Sequence, residues 1–228
     1  MTKLKFDITM SLDGFIAGPN PGPDAPLGEG GERLHQWVFG LKSFEQRHGR
    51  GGGKTNRDDE IAEESLADTG AVIMGRGMFG GGPGPWHESW EGWWGEEPPF
   101  GMPVFVLTHH AREPLVMKGG TTFTFVTEGI ESALEQARAA AVGQGVAIAG
   151  GGRVVQQYLD AGLVDEFQVH VAPVLLGDGV RLFDQPGADQ IELEVVRVVE
   201  SEAVTHLRYS VVRVAPSAGS GATVEDPN

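Results

Sequence analysis

Two periodicities alternate along the chain. Short runs that are apolar throughout, or apolar at every second position, have the length and spacing of β-strands, whereas longer runs with apolar residues every three or four positions have the spacing of amphipathic helices. The predicted strands are residues 4–10, 71–74, 104–107, 122–126, 146–149 and 167–176, and the predicted helices are residues 57–67, 130–141 and 153–161. Strands that alternate with helices predict an α/β fold with a mostly parallel central sheet and flanking helices.

The carboxyl-terminal part has a different pattern. Two alternating segments, residues 193–199 and 203–214, are close enough in sequence to form an antiparallel hairpin at an edge of the sheet. Residues 215–228 are small and polar, and we expect them to form a disordered tail. The 228-residue chain therefore predicts one domain over residues 1–214. Because soluble proteins usually cover a long Val-rich edge strand, we also expect a homodimer.

The composition limits the kinds of partner. With 17 basic and 32 acidic residues, the formal net charge is −15 at pH 7, and no cluster of Lys and Arg offers a face for a phosphate backbone. We therefore expect no nucleic-acid partner. The apolar runs are too short to cross a membrane and the start of the chain lacks the apolar core of a signal peptide, so we expect no membrane partner and a cytoplasmic location. The absence of cysteine excludes disulfides and cysteine-based zinc sites.

Three glycine motifs are candidates for nucleotide binding. Residues 53–55 read Gly-Lys-Thr, but His48 stands where a P-loop has its first glycine, and a flexible insertion is the better interpretation. Residues 75–80 match G-x-G-x-x-G, yet the glycines and prolines that follow cannot form the helix of a Rossmann site. Residues 150–152 are three glycines between a buried strand and a helix, where bare backbone and helix N–H groups attract a diphosphate. A plain strand-to-helix turn explains this third motif equally well.

Five motifs occur in a characteristic order. They are Ile-Thr-Met-Ser-Leu-Asp-Gly-Phe-Ile-Ala at 8–17, Val-Ile-Met-Gly-Arg at 72–76, Val-Leu-Thr-His at 106–109, Ile-Ala-Gly-Gly-Gly-Arg-Val at 148–154, and Leu-Val-Asp-Glu at 163–166 followed by Ala-Pro-Val-Leu-Leu-Gly-Asp-Gly at 172–179. Together they resemble the dihydrofolate reductase-like superfamily, most closely the reductase domain of the bifunctional riboflavin-biosynthesis deaminase-reductase. The resemblance extends over residues 4–213. The chain lacks the H-x-E and P-C-x-x-C motifs of the deaminase domain.

This resemblance implies a dihydrofolate reductase-like fold with NADPH bound across the carboxyl ends of the strands. By motif position, the diphosphate and the nicotinamide would be held by Gly150, Gly151, Gly152, Arg153 and Val154. No metal is expected.

The resemblance also assigns the far end of the cofactor. Gly75 and Arg76 would contact the diphosphate and the 2′-phosphate, and Thr108 and His109 would complete the 2′-phosphate site. A guanidinium suits that dianion because it donates bidentate, charge-assisted hydrogen bonds. A surface salt bridge for Arg76 and a solvated loop position for His109 are the alternatives. Met78 departs from the family, in which a threonine commonly follows the Gly-Arg pair by two residues.

The substrate side is less clearly marked. Hydride transfer to a C=N or C=O bond usually needs a proton donor, and dihydrofolate reductases keep an acid on the helix before the second strand. Asp59 lies at about that position between Asp58 and Glu60, although consecutive acids also favour a solvated helix start. Asp13 is a second candidate that an Asp-Gly turn explains equally well. Trp37 could bind a planar heterocycle or pack under its loop.

Three hypotheses for the function remain. The first is an NADPH-dependent reductase of a small heterocycle, of the 5-amino-6-(5-phosphoribosylamino)uracil reductase type or alternatively a dihydrofolate (pterin) reductase. The second is a nucleotide-binding module without catalysis. The third is a metal hydrolase that uses His87, Glu88, His109 and His110, whose spacing fits no recognised ligand motif. The tryptophans between residues 86 and 94 would form a lid over the ligand or a dimer contact.

Overall fold

The structure is a computed structural model that describes residues 2–22, 25–87, 89–184 and 190–213, without the side chain of residue 66. The strands are β1 (Leu4–Ser11), β2 (Phe15–Ala17), β3 (Thr69–Gly75), β4 (Pro103–Leu107), β5 (Leu115–Val116), β6 (Thr122–Val126), β7 (Gly145–Gly150), β8 (Glu166–Ala172), β9 (Val180–Arg181), β10 (Leu193–Glu200) and β11 (Thr205–Val211). The helices are α1 (Lys42–Arg47), α2 (Arg57–Ala67), α3 (Arg76–Phe79), α4 (Ile130–Ala140) and α5 (Gly152–Asp160), with 3₁₀ turns at Gly31–His35 and Lys118–Gly120.

The central sheet has nine strands in the order β10-β11-β8-β1-β7-β3-β4-β6-β5. The six strands from β8 to β6 run parallel to one another, whereas β5 and the hairpin of β10 and β11 are antiparallel additions at the two edges. The predicted parallel sheet with a carboxyl-terminal hairpin is therefore confirmed. The predicted strand 167–176 ends at Ala172, since Pro173 cannot donate a ladder hydrogen bond. Residues 214–228, which include the predicted tail, lie outside the described residues.

The larger hydrophobic core lies between the sheet and helices α4 and α5. On the sheet, Phe6 of β1 stacks on Phe167 of β8 with ring centroids 4.6 Å apart. Helix α5 buries one face, and its fully buried Tyr158 donates a hydrogen bond of 2.8 Å to the Ile130 carbonyl at the start of α4. This contact joins the two helices.

A second core takes other side chains of β3, β4 and β6, and three of the tryptophans belong to it. Trp86, Trp90 and Trp94 pack on a buried cluster that contains Phe79 and Phe123. The indole of Trp90 donates to the Phe79 carbonyl at 3.1 Å, and the ring of Trp94 lies 5.9 Å from that of Phe123. Packing in this core accounts for Trp86, Trp90 and Trp94, whereas Trp93 is 39% exposed. The lid and the dimer contact stay predictions.

Two other glycine motifs have structural roles. Residues 75–80 do begin a helix, but α3 ends after one turn because Gly80, with a φ of 84°, leaves the helical region. Lys54 exchanges backbone hydrogen bonds with Gly40 and Lys42, so residues 53–54 are tied to the start of α1 and are not a free insertion. Within the ranges given above, no helix has the length and apolar character that crossing a bilayer requires.

Candidate active site at the carboxyl ends of the strands

Several predicted cofactor residues meet at one edge of the sheet. The registers place Met74 beside Gly150 and Gly75 beside Leu107, which brings the ends of β3, β4 and β7 together. A methyl group built on Gly75 would lie 2.7 Å from Cγ2 of Val154 and 3.9 Å from the Gly151 nitrogen. The first turns of α3 and α5 are thus close neighbours, in the crevice where open α/β sheets bind ligands.

The three glycines between β7 and α5 serve different purposes. Gly150 has a φ of 140°, a conformation that side chains disfavour, and a Cβ on Gly152 would lie 2.7 Å from the Arg181 carbonyl oxygen. Gly151 has a φ of −82°, which residues with side chains also adopt. A Cβ there would meet no atom within 4 Å. Gly151 therefore borders open space at the start of α5.

The start of α5 is suited to an anion. Its N-cap, Gly151, has no side chain that could accept the first N–H groups, and the first turn contains no acidic residue. These donors and the helix dipole therefore favour a negatively charged group in the space beside Gly151. Arg153 is exposed in the same turn, whereas Val154 is buried against Gly75 and belongs to the core.

Arg76 is partly engaged by its own loop. Its Nε donates to the Gly80 carbonyl at 3.2 Å and its Nη2 to the Gly82 carbonyl at 2.9 Å. The guanidinium carbon lies 3.1 Å from the ring centroid of Trp86. Its Nη1 is buried and finds no hydrogen-bond acceptor among the described residues. The described protein therefore leaves part of the hydrogen-bonding capacity of this guanidinium unused, which is costly for a buried group.

A second cation beside Trp86 was missed by sequence reasoning. The guanidinium carbon of Arg112 lies 5.3 Å from the Trp86 ring, and Arg112 donates to the Trp90 carbonyl. Burial first, and the charge of Arg112 second, lower the pKa of Arg76. Two guanidinium groups on one indole form a local positive site in an acidic protein. The position of Arg112, shortly after the β4 strand end, was the available signal.

Thr108 and His109 follow β4 at the same edge of the sheet. The Thr108 hydroxyl accepts a hydrogen bond of 3.1 Å from the His110 N–H, which closes a local turn. His109 is exposed. Their contact with a 2′-phosphate stays a prediction.

The first acid proposed as proton donor, Asp59, does not face open space. Asp59 is buried, and its Oδ1 accepts the Ser43 N–H at 2.8 Å, so its carboxylate is turned to the start of α1. The role of Asp59 in catalysis stays a prediction. It is the neighbouring Asp58 that faces the sheet, where Nε2 of His206 lies 2.9 Å from its Oδ1.

Asp13 is a structural residue of its turn. Its two carboxylate oxygens accept the backbone N–H groups of Leu176 and Gly177 at 3.1 and 2.8 Å. A hydrogen bond from Ser11 first, and these backbone donors next, lower the pKa of Asp13 to about 2. The carboxylate is therefore ionised at neutral pH and tied to the turn. The role of Asp13 in catalysis stays a prediction.

A pocket of ≈ 540 Å³ opens beside the carboxyl end of β8. Its lining consists of Arg33, Gln36, Trp37, Ala172, Pro173, Val174 and Ala203. Trp37 lies between this pocket and the sheet, with its ring 4.6 Å from that of His170 and its indole N–H donating to the Thr9 hydroxyl at 3.1 Å. Trp37 thus packs on the sheet and also lines the pocket, and its contact with a planar heterocycle stays a prediction.

The metal-hydrolase hypothesis gains no support from the geometry. Within the described part of the chain, no three His, Asp or Glu side chains are grouped as a metal site requires. Glu88, one of the four residues considered, lies outside the described residues.

The sheet order, the glycine turn before α5 and the Gly-Arg pair after β3 define a dihydrofolate reductase-like fold. Solved structures support this assignment. A protein assigned to riboflavin biosynthesis from Shewanella sp. PV-4 superposes with a TM-score of 0.59 at 22% identity, over 93% of this chain and 100% of that one. The family model described as the RibD C-terminal domain matches residues 2–207, and the chain belongs to this family of reductases. No curated protein sequence matches it.

Two longer proteins contain the same fold. The diaminohydroxyphosphoribosylaminopyrimidine deaminase/5-amino-6-(5-phosphoribosylamino)uracil reductase from Thermotoga maritima gives a TM-score of 0.56 at 14% identity, over 92% of this chain and 57% of that one. RibD from Acinetobacter baumannii gives 0.55 at 18% identity, over 93% and 58%. This chain therefore spans a little over half the length of these two proteins.

Proposed function

We propose that this protein is an NADPH-dependent reductase of a small heterocyclic substrate, of the 5-amino-6-(5-phosphoribosylamino)uracil type. The observation that carries the proposal is the open space at Gly151, where the uncapped start of α5 meets the end of β3. A diphosphate fits this place because bare backbone lets it approach the helix N–H groups. The unpaired Nη1 of Arg76 supplies a further donor for a phosphate.

The chain's own residues have separable tasks in such a reaction. The turn at Gly151 would hold the diphosphate, and Arg76 with Arg112 would bind the 2′-phosphate. Trp37 would orient a planar ring in the pocket at the end of β8, at the same edge of the sheet as Gly150. NADPH bound at this edge would supply the hydride.

The test is a panel of substrates with NADPH oxidation as the readout. The panel contains the phosphoribosylated aminouracil, its dephosphorylated form and dihydrofolate. We expect turnover with the aminouracil. Turnover of dihydrofolate alone would support the pterin reductase instead, and NADPH binding without turnover of any compound would support a module without catalysis.

Arg33 is expected to recognise the substrate phosphate. It is an exposed cation in the lining of the pocket, where a guanidinium can donate two hydrogen bonds to a phosphate. We expect Arg33→Ala to raise KM for the phosphorylated substrate by roughly tenfold or more. The dephosphorylated substrate serves as the control, because its KM should hardly change. An equal rise for both substrates would remove the phosphate assignment.

We further propose a homodimer through the hairpin edge. Strand β10 ends the sheet, and its Leu193, Val195, Val196 and Val198 side chains are exposed. An apolar edge of this kind favours pairing with a second copy. Light scattering at micromolar concentration should give twice the monomer mass, and Val196→Lys with Val198→Lys should give the monomer. A monomeric wild type would contradict the proposal.

A further inference from the structure

Four titratable side chains form a row of contacts beneath Trp37, over neighbouring strands of the sheet. Nδ1 of His170 lies 2.6 Å from Nδ1 of His206. At one end, Nε2 of His206 lies 2.9 Å from Oδ1 of Asp58, and at the other end Nε2 of His170 contacts Oδ1 of Asp7. The two histidines are only 2% and 1% exposed, so bulk water does not replace these contacts.

Counting protons shows what this arrangement requires. The three contacts are hydrogen bonds only if each contains one proton, but two neutral imidazoles supply only two. An ionised carboxylate only accepts, so each Nε2 donates outwards to its carboxylate. Without a third proton, two nitrogen lone pairs would face each other in a dry site, which is costly. A proton between the Nδ1 atoms makes one ring an imidazolium, and with two carboxylates the four groups carry a net charge of −1.

The surroundings favour a neutral His206. Burial raises the pKa of Asp7, but the charge of His170 and hydrogen bonds from His170, Ser65 and Gln168 lower it more, so Asp7 is ionised. Burial first lowers the pKa of His206, and the charge of His170 lowers it further despite the hydrogen bond to Asp58. His206 therefore stays neutral and accepts at Nδ1 the proton that His170 donates.

We propose that His170 and His206 share this single proton, and that the resulting buried cation positions Trp37 as a wall of the substrate pocket. The centroid of the indole lies 4.6 Å from that of His170 and 5.3 Å from that of His206. A cation at this distance from an indole is attracted by the ring quadrupole. The two histidines are thus positioning residues. The link to a substrate rests on the proposed function, whereas the shared proton does not.

Several charged and titratable groups lie on the elements packed around the pair. Asp7 of β1, Asp58 of α2 and His35 of the first 3₁₀ turn interact with the pair, whereas Asp59 of α2, Arg47 of α1 and Arg197 of β10 lie one residue further out. Burial first, and the charge of His170 second, lower the pKa of His35 to about 4, so His35 is neutral at pH 7. Arg197 is held by Gln168 and Glu64.

Asp7 gives the shared proton a route to solvent. Its side chain is 28% exposed. Together with Ser65 and Gln168 it lines a cavity of ≈ 40 Å³, and a cavity of this volume has room for water. A proton can therefore enter or leave this group of four side chains at Asp7, without passing through the pocket beside Trp37. As the pH rises and the proton leaves, we expect the two Nδ1 atoms to separate and Trp37 to lose its cationic partner.

The test is a ¹H–¹⁵N spectrum of the full chain labelled with ¹⁵N-histidine, near neutral pH. We expect one ring N–H proton that is strongly deshielded and protected from exchange with water. Its ring should have imidazolium-type nitrogen shifts and its partner those of a neutral ring. His170→Gln and His206→Gln should each remove the signal. His35→Gln, which changes a neighbouring ring that is not one of the four linked side chains, should keep it. Two neutral rings without this signal in the wild type would overturn the proposal, and this outcome requires no variant to fold.

A kinetic readout tests the role of Trp37. With an active substrate, KM should rise as the shared proton is lost at higher pH, by about two- to thirtyfold, the range that a cation–indole contact supports. His206→Gln should raise KM more than it lowers kcat and should remove this pH dependence, whereas His35→Gln should preserve it. A pH-independent KM in the wild type would overturn the positioning role. Absence of turnover with every substrate would refute the proposed function and would leave the spectroscopic result standing.

Discussion

Gly151→Val is expected to abolish detectable NADPH binding in a protein that keeps its fold. The backbone at this residue has a φ of −82°, and a Cβ would meet no atom within 4 Å. A valine therefore fits the free protein but fills the space beside the start of α5. The loss of two or more charge-assisted hydrogen bonds to the diphosphate, at about 1.5–3 kcal/mol each, would weaken binding by roughly 10² to 10⁴-fold.

The control variants separate a cofactor site from a plain turn. Gly51→Val places the same side chain at another glycine whose Cβ meets nothing within 4 Å, away from the cleft, and should change neither Tm nor binding. Gly152→Val should lower Tm, since a Cβ there would lie 2.7 Å from the Arg181 carbonyl oxygen. Thermal melting and cofactor titration are measured on the same preparations. A folded Gly151→Val protein with the affinity of the wild type would refute the cofactor site.

Much of the fold follows from local patterns. Residues 146–149 and 153–161 are recognisable because an apolar strand, a glycine turn and an amphipathic helix follow each other without interruption. Observed β7 and α5 differ from these bounds by one residue at each of the four ends. The predicted start of the second hairpin strand differs more, since β11 begins at Thr205 and not at residue 203. The residues at which a strand begins and ends depend on hydrogen-bond partners that can be far away in sequence. A local sequence pattern does not contain that information.

The candidate site shows the same division between local and distant information. The glycine turn and the Gly-Arg pair are continuous motifs, and the structure brings them together. By contrast, three consecutive acids at the start of α2 do not reveal which one faces the sheet, because each residue is rotated about 100° from the last. Asp58 does so, and its partner His206 lies on a strand that the chain reaches 148 residues later. The His170–His206 pair likewise depends on the antiparallel register of β8 and β11.

Asp13 illustrates how two sequence interpretations can be separated only by tertiary contacts. An acid beside the expected nicotinamide site and an acid in an Asp-Gly turn have the same sequence. The partners of its carboxylate, Leu176 and Gly177, follow a strand that lies beside β1 in the sheet. Once those hydrogen bonds are known, the ionised form of the Asp13 carboxylate is strongly favoured, and the turn interpretation accounts for Asp13.

Arg76→Ala is expected to remove the preference for NADPH over NADH. The wild type should prefer NADPH, because the buried Nη1 of Arg76 has no acceptor in the described protein and NADH lacks the 2′-phosphate that would supply one. Loss of this contact should cost about 1.5–3 kcal/mol, or roughly 10- to 150-fold in the Kd for NADPH. The Kd for NADH should change little.

The ratio of the two affinities is the decisive quantity, because Arg76 also holds its loop through the carbonyls of Gly80 and Gly82. If the variant only disturbed the loop, both cofactors would bind more weakly by a similar factor and their ratio would persist. Arg76→Lys keeps the charge but loses the planar fork, and it should retain part of the preference. Arg112→Ala should reduce the ratio as well, since Arg112 shares the Trp86 ring with Arg76. Equal affinities of the wild type for NADPH and NADH would remove the 2′-phosphate assignment from both arginines.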